Sequence, residues 1–275
     1  MVIQMHSRIV FIGGGNMAQA ILGGLLQQGA PASSLFVIEP DADKRAVLSE
    51  RYGITTLALD AALPDVDVVV LAVKPQQLRE VTSARAAEMA GKLVVSIAAG
   101  VRTADLNRWL AGKARLMRVM PNTPALVRAG VSGVFAAEGT SAADVDVTET
   151  ILGAIGRVVW VKAESDIDIV TAISGSGPAY VFHFIEGLAR AGRELGLAPA
   201  LADELAKATF EGAIRLALDS DDDVGTLRKN VTSKGGTTEA ALNHMMSAGL
   251  EETIVQAAKA AHARAGELAD ILGRD

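Results

Sequence analysis

Phe11-Ile12-Gly13-Gly14-Gly15-Asn16-Met17-Ala18 is the stretch from which the fold is read. Before it, Ile9 to Ile12 form a short apolar run of strand type. After it, Met17, Ile21 and Leu25 recur at helical spacing. The small residues between them, Gly13, Gly15 and Ala18, follow the pattern G-x-G-x-x-A. Gly13 allows the tight turn out of the strand, and Gly15 leaves room for a pyrophosphate against the backbone. Ala18 lets the helix lie close to the strand. The N–H groups of the first helical turn then face an anion. A glycine-rich structural turn has the same composition. The strand before, the helix after and the acidic Glu39 downstream favour a dinucleotide site.

Composition bounds the rest. The chain has 275 residues, half of them hydrophobic, enough for a large core in one or two domains. A net charge of −6 without a basic block argues against nucleic-acid binding. The absence of cysteine excludes disulfides, thiolate catalysis and cysteine metal sites, and suits a reducing cytosol. Met1 to Arg8 lacks the apolar core of a secretory signal, and no apolar run reaches membrane-spanning length. The expectation is a cytoplasmic protein without a membrane partner. Whether translation starts at Met1 or Met5 is open. The four histidines, His6, His183, His244 and His262, have no metal-ligand spacing, so no metal is expected. Asn230-Val231-Thr232 matches a glycosylation sequon by chance.

Outward from the glycine stretch, strand and helix alternate. Leu35–Ile38 reads as a strand ending at Glu39-Pro40, and 43–52 as a helix. Ile54–Thr56 reads as a short strand. Asp67–Val73 is a near-continuous apolar run of the kind found in parallel strands buried on both faces. It ends at Lys74-Pro75, and Gln76–Ala90 reads as a helix. Strands at 93–97 and 116–120 flank a helix at 103–110. Weaker strands at 133–137 and 158–161 enclose a helix at 142–155. The alternation predicts a doubly wound parallel sheet of α/β class, with ligands beyond the carboxyl ends of its strands. Those ends are Gly13–Ala18, Glu39-Pro40, Ala72–Pro75, Ala98–Gly100 and Met120–Pro124, expected to converge on one crevice.

From Asp166 the pattern is helical. The helices at 178–195 and 201–218 are apolar over much of their circumference and need cover nearly all round. A second copy of the chain is the natural cover. The division is expected at residues 1–163 for a dinucleotide-binding domain and 164–275 for an all-helical one. Two glycine-containing stretches stand out in the second half. Ser174-Gly175-Ser176-Gly177-Pro178 reads as a helix start, with Ser176 as cap and Pro178 in the first turn, or as a close packing surface. Asn230-Val231-Thr232-Ser233-Lys234-Gly235-Gly236-Thr237-Thr238-Glu239 is a polar loop opening a helix. It reads equally as a cap or as a carboxylate receptor.

Together Phe11–Ala20, Ala72–Pro75, Met120–Pro124, Thr171–Tyr180 and Val231–Thr238 resemble the pyrroline-5-carboxylate reductase family over nearly the whole chain. The resemblance implies a Rossmann-type sheet domain followed by an all-helical dimerisation domain, assembled as a homodimer or a higher assembly of dimers. It implies hydride transfer from NADPH or NADH to the C=N bond of Δ1-pyrroline-5-carboxylate, giving L-proline. It carries cofactor binding onto Gly13, Gly15, Asn16, Met17, Ala18, Glu39, Pro40, Ala72, Val73, Lys74, Pro75, Ala98, Asn122 and Asn230. Substrate binding falls on Glu164, Ser233, Gly236, Thr237 and Thr238, with the Thr238 hydroxyl bonded to the ring nitrogen as the catalytic contact. In the family the loop usually reads Ser-Pro-Gly-Gly; here Lys234 stands at the proline.

Other readings are a β-hydroxyacid dehydrogenase, which shares the domain plan, or a dinucleotide-sensing module. The first needs a catalytic lysine on the helix after Ser176, and 178–195 contains none. Glu39 sits where an acidic residue takes the ribose hydroxyls of NADH, with Lys44 and Arg45 near it.

Overall fold

The computed structural model describes residues 7–274; Met1, Met5 and most of the stretch before Arg8 lie outside them. The chain begins with β1 (Ile9–Ile12), α1 (Asn16–Gln27), β2 (Leu35–Ile38), α2 (Ala42–Tyr52), β3 (Thr55–Leu57) and β4 (Val68–Leu71). It continues with α3 (Pro75–Ala84), β5 (Leu93–Ser96), α4 (Thr103–Trp109) and β6 (Arg115–Met120). β7 (Gly130–Ala136), α5 (Ala142–Gly153) and β8 (Gly156–Trp160) complete one eight-stranded sheet of order β3-β2-β1-β4-β5-β6-β7-β8. Every residue of β1, β2, β4 and β5 is buried, because helices cover both faces. One core contains Phe11, Ile21, Leu25 and Val70; the other contains Ile12, Leu71, Leu78 and Leu106. Burying each such side chain contributes about 1.5–3 kcal/mol. This density of buried aliphatics is what holds a parallel sheet together.

The sheet departs from the expected all-parallel plan at one pair. β6 and β7 are antiparallel, with Val119 opposite Val134. A parallel return requires a crossover of a dozen or more residues. Here a single 3₁₀ turn, Thr123–Val127, makes the connection. β8 returns parallel to β7 through α5, whose start carries a full capping box between Ser141 and Asp144. α3 is also shorter than expected, ending at Ala84. The buried Arg85 instead donates to the carbonyls of Leu59 and Ala61 and pairs with Glu88 at 3.3 Å.

Beyond β8 the chain is helical: α6 (Asp166–Val170), a π turn at Thr171–Gly175, α7 (Gly177–Glu194), α8 (Pro199–Asp219), α9 (Val224–Asn230), α10 (Thr237–Ser247) and α11 (Leu250–Leu272). α7 begins at Gly177 with Pro178 in its first turn, as expected, but Ser176 is not an extended cap. Ser176 has right-handed helical dihedrals, and the π turn carries the helix through it. Upstream of it, two hydroxyls bond back within the helix: Thr171 to the Ile167 carbonyl and Ser174 to the Val170 carbonyl.

The chain separates into two compact units, one running through Ser176 and joined by the segment from Ala261, the other Gly177–Ala260. In the first, the end of α11 lies against α4: Arg102 pairs with Asp270 at 2.8 Å and Arg108 donates to the Gly273 carbonyl at 2.7 Å. In the second, α7 and α8 form an antiparallel pair whose buried residues are alanines, Ala189, Ala202 and Ala206. Gly192 lets α7 approach Ala202, since a methyl group there would lie 3.0 Å from its Cβ. Among the described residues no helix is long and apolar enough to cross a membrane.

Candidate functional site

The first candidate site lies at the carboxyl ends of β1, β2 and β4. Gly13, Gly14, Gly15, Glu39, Pro40, Ala72, Val73 and Lys74 line one cleft of about 310 Å³, so three of the five strand ends come together there. Asn16, Met17, Ala18, Pro75, Ala98 and Asn122 are not in its lining, nor are the ends of β5 and β6. Lys44, Leu59, Gln77 and Val81 complete it. The last three escaped the sequence reading, although the spacing of four between Gln77 and Val81 puts both on one face of α3.

Backbone geometry explains the glycines. Gly13 has φ +100, and a Cβ there would lie 2.7 Å from the Ala72 carbonyl oxygen. At Gly14 a Cβ would meet Leu48 at 2.6 Å. At Gly15 a Cβ would meet no protein atom within 4 Å. That glycine is therefore not required by packing, and the space beside it is open for a ligand. Gly15 is also the N-cap of α1, and no side chain caps the helix there. A phosphate is the natural acceptor for its first-turn N–H groups.

Glu39 is held rigidly. It is only 7% exposed; Oε2 accepts from Gly14 N–H at 3.0 Å and Oε1 from Asp41 N–H at 3.1 Å. Arg45 donates to the Glu39 and Pro40 carbonyls, both at 2.7 Å. The carboxylate thus ties the glycine turn to the end of β2 while still lining the cleft.

A second group gathers Glu164. Its Oε1 accepts from Thr103 N–H at 2.6 Å and its Oε2 from the Thr103 hydroxyl at 2.7 Å. Arg118, 2% exposed, reaches Glu164 at 3.3 Å and Asp168 at 2.8 Å. A guanidinium so buried is stable only with such partners. Nearby, Asn122 donates to the Ser174 carbonyl at 3.1 Å and accepts from Val131 N–H at 2.8 Å. Apart from the bond to Val131, these links join residues 46 to 61 apart in sequence, and no local pattern could have signalled Thr103, Arg118 or Asp168.

In the helical unit, Asn230 ends α9 and the loop Ser233–Gly236 precedes α10. Gly236 is the N-cap of α10, with φ −86 and ψ 174, close to the −70 and 178 of Gly15. Again no side chain caps the helix, whereas Asp41, Ser141 and Asp223 cap α2, α5 and α9. A Cβ on Gly236 would lie 2.5 Å from the Ser233 hydroxyl oxygen, so any larger residue there would have to displace the Ser233 side chain. Ser233, Thr237 and Thr238 are brought together at this helix start.

The sheet order, the glycine turn and the cleft define a dinucleotide-dependent oxidoreductase. A family model described as "NADP oxidoreductase coenzyme F420-dependent" matches residues 8–100, and one described as "Pyrroline-5-carboxylate reductase dimerisation" matches 164–268. The chain is 44% identical over 269 residues to a pyrroline-5-carboxylate reductase of Pseudomonas aeruginosa, covering 97% of this chain and 98% of that one. It superposes on the structure of a pyrroline-5-carboxylate reductase from Coxiella burnetii with a TM-score of 0.91 and 41% identity, over 96% and 99% of the two chains. A Plasmodium falciparum pyrroline carboxylate reductase with NADP bound gives a TM-score of 0.85 at 28% identity, over 96% and 98%. The chain belongs to the pyrroline-5-carboxylate reductase family.

Proposed function

We propose that the chain reduces the C=N bond of Δ1-pyrroline-5-carboxylate to L-proline with NADPH or NADH. The observation that carries this reading is identity over nearly the full length to enzymes of that name. Two helix starts left open by glycine N-caps support it, one for a pyrophosphate and one for a carboxylate.

Bound at the cleft, the reduced nicotinamide supplies the hydride. The protein's own part is to hold and orient. Gly13, Gly15, Asn16, Met17 and Ala18 form the turn and first helical turn for the phosphates. Glu39 and Pro40 face a ribose, Ala72, Val73 and Lys74 form another part of the wall, and Pro75 is retained on the resemblance alone. Ala98, Asn122 and Asn230 are retained as cofactor positions on the resemblance alone, and Glu164 as a substrate position on the same ground. Ser233, Gly236 and the backbone at Thr237 hold the substrate carboxylate, and the Thr238 hydroxyl bonds the ring nitrogen. Such positioning can supply several of the roughly 7–11 kcal/mol that orientation offers. α7 carries no lysine, which leaves a hydroxyacid dehydrogenase without its base.

The fixed Glu39 carboxylate opposes a 2′-phosphate, which favours NADH; Lys44 in the same cleft partly offsets it. A strong kinetic preference for NADPH would overturn this lean. The functional division is proposed at 163/164, with the 164–275 part forming a homodimer and the protein acting in the cytoplasm. The deciding experiment follows NADH and NADPH oxidation with pyrroline-5-carboxylate, and dinucleotide reduction with a hydroxyacid. Turnover only with the latter would refute the reading, and binding without turnover would leave a sensing module.

A further inference from the structure

A second pocket, of about 320 Å³, opens beside α1 and shares no lining residue with the cleft at the glycine turn. Three elements wall it. α1 supplies Asn16, Gln19 and Gln27, and the end of α2 supplies Arg51 and Tyr52. Arg128 comes from the residue after the 3₁₀ turn Thr123–Val127. Among the described residues no Asp or Glu lines it. That runs against the molecule as a whole, which carries 32 acidic side chains against 26 of Lys and Arg. Arg51 is steadied without being neutralised. Its guanidinium lies over the Tyr52 ring, 5.1 Å from the centroid, and donates to Gln19 Oε1 at 3.5 Å. Gln19 is itself tied by its amide nitrogen to the Gly14 carbonyl at 3.0 Å. The Arg128 side chain has no hydrogen bond or ion pair among the described residues. Its backbone has φ 58 and ψ 26, a left-handed cap where glycine or asparagine is the usual residue. Ala111 is the one other non-glycine among the described residues with positive φ. A charged side chain without a protein partner is thus kept on disfavoured backbone, an outlier that points to use.

We propose that this pocket binds a small organic anion, with its carboxylate or phosphate group held between Arg51 and Arg128. The planar fork of a guanidinium matches the oxygens of either group, and two forks facing one space suit a doubly charged head. The carboxamides of Asn16 and Gln27 are left to bond the rest of the ligand. The volume is at the lower end of small-molecule pockets, which run from about 300 to 1,000 Å³, so the ligand is of metabolite size and not a second dinucleotide. Of the proposed cofactor positions only Asn16 lines the pocket, so a bound dinucleotide leaves both arginines open to the anion.

The test is calorimetric titration of the full chain, saturated with NADH, with inorganic phosphate and separately with succinate. Ionic strength is held constant so that general screening does not change. The unmodified chain is compared with Arg51→Gln, Arg128→Asn and the double variant. Both arginines are exposed, so melting temperatures should not move. Saturable binding of at least one probe is expected, and the tighter of the two tells a phosphate head from a carboxylate one. Each single substitution should weaken binding roughly tenfold or more, the scale of one lost hydrogen bond to a charged group. The double variant should show no saturable binding. Three results overturn the proposal: no saturation with either probe, equal affinity in the double variant, or binding that NADH abolishes. The last would place the anion in the dinucleotide's own phosphate site. If Arg128→Asn does not fold, Arg51→Gln decides: weakened binding supports the proposal and unchanged binding refutes it.

Discussion

The strands of the sheet and the helices α7 and α8 are written in similarly apolar sequence, yet they bury it in opposite ways. Along β1, β2, β4 and β5 every side chain is covered by the chain's own helices. Along α7 and α8 the covered residues are alanines, while Phe182, Leu205 and Ile214 stand 60%, 49% and 55% exposed. Monomeric proteins seldom leave so much apolar surface open. The sheet unit thus covers its own apolar residues, whereas the helical unit leaves apolar residues open, which fits the proposed homodimer. Apolar content alone does not distinguish a core from an interface; what covers it does.

The sharpest way to break this comparison is to truncate one side chain in each unit. Leu71→Ala should cost about 2–5 kcal/mol wherever the protein is measured, because a cavity opens in a closed core. Leu205→Ala should cost far less in a monomer, and its effect should depend on protein concentration if, as proposed, α8 packs between copies. Thermal melts over a hundredfold range of concentration, with light scattering, check both. An active, stable monomer at micromolar concentration would contradict the assignment of α7 and α8 to an interface.

The two open helix starts extend the comparison to function. Gly15→Val places a branched side chain where no protein atom stands, so the fold should persist. Dinucleotide affinity should fall on the order of a hundredfold, since overpacking costs up to about 3 kcal/mol. Calorimetry with NADH, beside a melting curve, tests this. A folded Gly15→Val protein with normal affinity would remove the phosphate from α1. At α10, Thr238→Ala should lower kcat/KM for pyrroline-5-carboxylate roughly ten- to a hundredfold, for a lost bond of about 1.5–3 kcal/mol, with dinucleotide affinity unchanged. A destabilised but fully active Thr238→Ala would make it a support for the helix start only.

The smallest effect belongs to a helix that is properly capped. Burial opposes ionisation of Asp144, but the Ser141 N–H and hydroxyl and the Arg115 guanidinium outweigh it and hold its pKa below the ordinary carboxylate range. A carboxylate whose folded pKa is depressed stabilises the protein above its unfolded pKa. That stability is lost as pH falls through the folded value. Asp144→Asn should therefore cost about 1–2 kcal/mol at neutral pH. The deficit should shrink as the solution is acidified through the carboxylate range. Melting curves of both proteins against pH give the answer, and a pH-independent deficit would exclude the charge as its source.

The sequence by itself determined the elements whose signal is local. A glycine turn between an apolar run and a helical period needs no distant partner to be recognised. Neither do four strands of β-branched residues, nor a polar glycine loop at a helix start. The tertiary structure decided whatever depends on residues far apart in the chain. It reversed β7, because a nine-residue connection, 121–129, cannot cross over. It carried the helix through Ser176, and it turned Glu39 onto Gly14, 25 residues earlier. It assembled Thr103, Arg118, Glu164 and Asp168 from segments whose spacing carries no pattern. It also turned Glu239 back onto Gly235, where the sequence offered only an acidic residue near a helix start. Periodicity reports which way a side chain faces along its own element. Which atom it meets there is set by the packing of elements against one another.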